Sequence, residues 1–121
     1  MHIQFAEIPL VHQARARKFY TAHFDCRFMA DQPMGHDGWQ WVELKCPGAE
    51  TALHFVRRKE DAPAYTPVLG LVEEDTEASV RTLKSQGVKI ITEPHRDPWL
   101  SGRIIAEFRD SEANRMMISS K

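Results

Sequence analysis

Gly102-Arg-Ile-Ile-Ala-Glu-Phe-Arg-Asp-Ser-Glu-Ala-Asn-Arg-Met-Met-Ile118 is the stretch whose reading decides the fold. Two runs of strand-forming residues flank Asp110-Ser-Glu-Ala-Asn114. Asp, Ser and Asn carry short polar side chains that bond nearby backbone and tolerate left-handed dihedrals, so they favour turns. The stretch therefore reads as a β-hairpin.

Upstream of the hairpin, Val68–Val72 reads as a strand, and Asp75 or Thr76 caps a helix running to about Gln86. Val80 and Leu83 mark its apolar side, and Gly87 supplies the left-handed exit. Val88–Thr92 is a strand and Glu93–Ser101 a loop with Pro94, Pro98 and Trp99. The first half shows the same order. Ile3–Ile8 is a strand and Val11–Phe24 a helix, followed by the short strand Cys26–Met29. Asp31–Gly38 reads as a loop, and Trp39–Lys45 and Thr51–Val56 as antiparallel strands around Cys46-Pro-Gly. The charged stretch Arg57–Ala64 is a linker. Phe28 and Ile90 occupy matching places 62 residues apart, and Phe19-Tyr20 matches Thr82-Leu83 at 63. Such a repeat implies two modules that bury faces against each other.

The expectation is an α+β fold with one domain, 1–121, made of two paired βαβββ modules, about 1–61 and 62–121. They would form a half-open barrel around a central cavity, with helices outside. The length suits one domain with a real core. A net charge of −1, with acids and bases interspersed, gives no electrostatic case for nucleic acid or an acidic membrane surface. No apolar run is long enough to span a bilayer, and the N-terminus has no signal-peptide pattern. Cys26 and Cys46 lack CxxC spacing and read as free thiols of a cytoplasmic protein.

The ending resembles the "F-x-D-P-x-G-N-x-x-E-L" pattern of the vicinal oxygen chelate superfamily, which groups glyoxalase I, bleomycin-resistance proteins and extradiol dioxygenases. Ile8-Pro-Leu-Val-x-x-Ala-x-x-x-x-Phe19-Tyr20 and Val72-Glu-Glu-Asp75 through Val80, Leu83, Gly87 and Val88 resemble two further signatures of that group. Asp25, Ser111 and Ala113 depart from its usual Gly and Pro residues. The resemblance implies a small-molecule cavity, a homodimer, and a metal held from the first and last strand of each module. Those four positions fall on Phe5, His54, Pro67 and Met117. Only His54 is a suitable ligand. A divalent catalytic site wants about three imidazole or carboxylate donors, so no metal and no other cofactor is expected.

Strand parity would bring Phe5, Trp39, Trp41, Glu43 and His54 to one face, giving two indoles, an imidazole and a carboxylate. Small-molecule pockets have this character. The indoles read equally well as core or interface residues. Glu43 and His54 would form an acid/base pair if they share a face. Trp99 and Arg103, with Arg96, read either as a lid that meets an anionic ligand or as a packed surface loop. Three functions compete: binding of an aromatic or amphipathic small molecule, metal-independent lyase or isomerase chemistry on His54, and metal-dependent lactoylglutathione-lyase-like or dioxygenase-like catalysis.

Overall fold

Alternation of apolar and polar residues sets the strands, and the 3.6-residue period sets two helices. The computed structural model describes residues 1–34, 37–59, 66–99 and 102–121. The chain divides into two units, 1–61 and 62–121.

The first unit runs β1 (Phe5–Leu10), α1 (Gln13–Phe24), β2 (Arg27–Pro33), β3 (Gln40–Lys45) and β4 (Ala52–Arg57). Its sheet has the order β1-β4-β3-β2. β1 lies parallel to β4, and the other pairs are antiparallel. A parallel pair needs a crossover, and α1 lies within it. Ile8, Leu10, Val42, Leu44 and Phe55 are buried together with Ala16 and Tyr20 of α1. The Tyr20 and Phe55 ring centroids are 6.3 Å apart. Burying an aliphatic or aromatic side chain of this size contributes about 1.5–3 kcal/mol. α1 ends at Asp25, whose φ of 52° is a left-handed conformation that Asp tolerates in place of Gly.

The second unit repeats the pattern with β5 (Pro67–Val72), α2 (Thr76–Ser85), β6 (Ile90–Arg96), β7 (Ile104–Arg109) and β8 (Arg115–Ser119), in sheet order β5-β8-β7-β6. Asp75 is the cap of α2, accepting the Ala78 N–H at 3.0 Å. Val80 and Leu83 are buried, as are Phe108, Met116 and Ile118 of the sheet. The closing turn is held by Asp110. Its Oδ1 accepts the backbone N–H of Glu112 and of Asn114, each at 2.8 Å, and its Oδ2 accepts Asn114 Nδ2 at 3.1 Å. Ala113 takes φ 62° in the place of a Gly.

Two strand ends differ from the sequence expectation. Asp31–Pro33 belongs to β2, opposite Val42–Gln40, and Glu93–Arg96 belongs to β6 despite Pro94. Both are edge strands, where a missing N–H need not break a ladder. The expected loop around Gly35 and His36 lies partly outside the described residues, as does most of the 57–64 linker.

The cysteines are a second correction. Cys26 and Cys46 form a disulfide with Cα atoms 4.1 Å apart. Arg27 pairs with Lys45, so the two cysteines face each other at the end of the β2–β3 ladder. Cross-strand neighbours at non-hydrogen-bonded positions approach to about 4.5 Å, which brings their side chains together. Sequence spacing carries no trace of this, because it depends on register. The free-thiol argument for a cytoplasmic location falls with it. Among the described residues, no helix is long and apolar enough to cross a membrane.

Candidate functional site

On the first unit's sheet, alternation sends Phe5, Trp41, Glu43 and His54 to the side opposite the Ile8–Leu44–Phe55 core. Register makes them neighbours. His54 lies between Glu7 of β1 and Glu43 of β3, and Phe5 faces Ala52. The His54 imidazole stacks on the Trp41 indole, with centroids 3.7 Å apart and planes inclined by 26°. Phe5 meets both rings edge-on, at 5.4 Å from His54 and 5.8 Å from Trp41. Trp41 and Phe5 are half-buried, while His54 is 8% exposed.

Two hydrogen bonds fix the polar atoms of this cluster. Trp41 Nε1–H donates to Glu43 Oε1 at 3.1 Å. His54 Nδ1 lies 3.2 Å from the Val42 carbonyl oxygen. A carbonyl only accepts, so Nδ1 carries the proton and, in the neutral ring, Nε2 holds the lone pair. Glu43 thus shares a face with His54, but its bonded partner is the indole.

Trp39 has partners of its own. The Arg57 guanidinium lies 4.6 Å over its ring, and Arg57 donates to Asp37 at 2.6 Å. Asp37 also accepts the Trp39 backbone N–H. The Arg57 hydrogen bond, then the Trp39 N–H, hold the Asp37 carboxyl below the usual carboxylate range.

In the second unit, Met117 pairs with Gly70 and Glu107, and Pro67 with Arg115. A Cβ on Gly70 would lie 3.3 Å from Met117 Cε, so the thioether packs onto the glycine. Trp99 sits in the turn after β6, 91% exposed, its backbone N–H donating to Asp97 Oδ1 at 2.7 Å. Arg103 is exposed, and its carbonyl accepts the Asp97 N–H. Arg96 donates to the Gly102 carbonyl, closing its own loop.

Sequence reasoning missed the polar centre of this unit. Arg115 binds Glu107 through Nε at 2.6 Å and through Nη2 at 2.8 Å, and Thr92 Oγ1 donates to Glu107 at 3.0 Å. The Arg115 bonds, against a smaller opposing effect of burial, hold the Glu107 carboxyl below its usual range. The available signal was two opposite charges of equal parity on either side of the Asp110–Asn114 turn.

The residues do not fit the divalent ion that the resemblance implies. Phe5 and Pro67 have no side-chain donor, and Met117 offers a soft thioether that suits hard cations poorly. His54 has one nitrogen committed to a carbonyl. Among the described residues, no three His, Cys, Asp or Glu side chains are grouped so that they could hold a metal ion. One imidazole falls short of the roughly three protein ligands of a catalytic site.

The two βαβββ units and their strand order define a glyoxalase-type α+β protein. A family model described as the Glyoxalase/Bleomycin resistance protein/Dioxygenase superfamily matches residues 2–118, and the chain belongs to that superfamily. Among solved structures, it is 28% identical to TnmS3, an antibiotic binding protein from Streptomyces sp. CB03234, with a TM-score of 0.81 and coverage of 99% of this chain and 95% of that one. A glyoxalase/bleomycin resistance protein from the same Streptomyces strain is 27% identical, with a TM-score of 0.73 and coverage of 98% and 99%. A superfamily member from Sphaerobacter thermophilus DSM 20745 shares the fold at 20% identity, a TM-score of 0.85 and coverage of 100% and 98%. No curated protein sequence matches the chain significantly.

Proposed function

We propose that the protein binds an aromatic or amphipathic small molecule on the Phe5–Trp41–His54 face of its first unit, without a catalytic metal. The observation that carries this is the half-buried aromatic cluster with its polar atoms fixed, Trp41 stacked on His54 at 3.7 Å and tied to Glu43. Rigid aromatic surfaces bury large area at low entropic cost, and fixed polar groups add orientation. A relative described as an antibiotic binding protein, 28% identical over nearly the whole chain, favours the same reading. By family resemblance, the proposal includes a homodimer, which sedimentation at several concentrations would check.

A second reading has its own support. The tautomer set by the Val42 carbonyl leaves His54 Nε2 with a lone pair, as a general base requires. His54→Ala would then abolish turnover while a bound compound was largely retained.

The binding proposal is tested with Trp39→Phe/Trp99→Phe protein, in which Trp41 is the remaining indole. Chelator-treated protein titrated with a broad panel of aromatic compounds should show saturable quenching or a spectral shift for some of them. A flat response across the panel contradicts the proposal.

A further inference from the structure

The other side of the first unit carries a feature unrelated to the aromatic face. A cleft of about 480 Å³ runs between α1 and the β2–β3 side of the sheet. Ala14 and the buried Val42 line it as apolar residues, and Arg17 and Lys18 bring two positive charges. Among the side chains that the structure describes, which exclude those of Ala30 and Asp31, no acidic one lines it. The Arg17 guanidinium is stacked over Phe28, 3.4 Å from the ring centroid. Stacking uses the face of the guanidinium and leaves its N–H edge for a planar acceptor. Gln13 is pinned by two bonds to Gln40, donating to its carbonyl at 2.6 Å and accepting its N–H at 3.1 Å, which joins helix and strand across the cleft.

The corresponding groove of the second unit, between α2 and β6, is a control. It measures about 360 Å³ and is lined by Glu77, Val80, Arg81, Lys84, Glu93 and Pro94. Its charges balance, and Lys84 is paired with Glu93 across the groove. Helix-on-sheet packing makes a groove in both units, and among the described side chains the first lines its groove with cations and no acid, the second with both.

We infer that the α1–β2–β3 cleft is a second ligand site, taking a small carboxylate with a compact apolar body. The carboxylate meets the edge of Arg17 and the Lys18 ammonium, and the apolar body rests against Ala14 and Val42. Carboxylate and guanidinium match in planar, two-point geometry. Both cations are exposed, so binding is weak and salt-sensitive.

The test is a titration of the full chain with benzoate and with its neutral isostere benzamide, followed by amide NMR shifts. Benzoate should give saturable shifts at Gln13, Arg17, Gly38 and Gln40, with benzamide at least tenfold weaker. The Arg17→Gln/Lys18→Gln double variant should lose at least tenfold in benzoate affinity with the remaining spectrum unchanged. Raising salt to about 1 M, where screening acts within about 3 Å, should weaken benzoate binding to wild-type protein several-fold and leave benzamide unaffected. The salt arm needs no variant and stands even if the substitutions disturb folding. Equal binding of the two probes, salt-insensitive benzoate binding, or shifts confined to Trp41 and His54 would each overturn the inference. Shifts confined to Trp41 and His54 would instead speak for the aromatic face, while the other results leave that proposal untouched, because its signals lie on the opposite side of the sheet.

Discussion

Glu43 and Glu107 occupy equivalent ladder positions and do different things. Glu43 on β3 faces His54 and accepts the Trp41 indole N–H. Glu107 on β7 faces Met117 and is gripped by Arg115 and Thr92. The backbone offers the same place twice, and the neighbour on the same face, Trp41 two residues back or Arg115 on the adjoining strand, decides whether an indole–carboxylate contact or an ion pair results. The turns after β3 and β7 diverge in the same way. In the first unit the strand before the turn is tied to β2 by the Cys26–Cys46 bond, while in the second the turn is tied internally by Asp110.

The largest expected effect breaks the second turn. Asp110→Ala removes the carboxylate that accepts from three donors in a buried turn, at a cost of about 1–3 kcal/mol per lost bond, less what water and other partners recover. Urea unfolding should show a loss of roughly 3–5 kcal/mol in total. A loss under about 1 kcal/mol would mean the turn does not depend on that carboxylate. Next, Cys26→Ser/Cys46→Ser removes a cross-link closing a loop of about 20 residues, which chain entropy values at about 3 kcal/mol. Wild-type protein under reducing conditions should fall to the same stability, and no difference between oxidised and reduced protein would refute the pairing.

Trp41→Ala sharpens the contrast between the two sheet faces. It should cost any aromatic ligand about tenfold or more in affinity, about 1.4 kcal/mol, while Trp99→Ala changes affinity little. The smallest effect is Glu107→Gln. The charge-assisted pair, screened by solvent on its Arg115 side, should contribute about 1 kcal/mol or less near neutral pH. Because folding lowers the Glu107 pKa, this stability is fully present above the ordinary glutamate range of about 4.3. It fades as the pH falls through the lower folded value. Wild-type and Gln variants should therefore converge in stability only below about pH 4, and a gap unchanged into strong acid would contradict the ion-pair assignment.

The element order was legible because helix and strand periods are clear, and because Asp75 and Gly87 punctuate α2 in the usual places. The ends of β2 and β6 were not, since Pro33 and Pro94 argue against strands by local rules while an edge position tolerates them. Parity put Phe5, Trp39, Trp41, Glu43 and His54 on one face, but partner choice lay beyond it, as the Arg57 guanidinium over Trp39 also shows. Whether Glu43 bonds an imidazole across the ladder or an indole two residues back depends on rotamers. Both the disulfide and the Glu107–Arg115 pair follow from register, which single-strand patterns do not contain.

The measurement closest to the central claim is the indole N–H resonance of Trp41, followed while chelator-treated protein is titrated with aromatic compounds. Saturable movement of that signal with divalent ions removed is the predicted result. A signal that stays still across the panel, or moves only once a divalent ion is restored, would contradict a metal-free aromatic binding face.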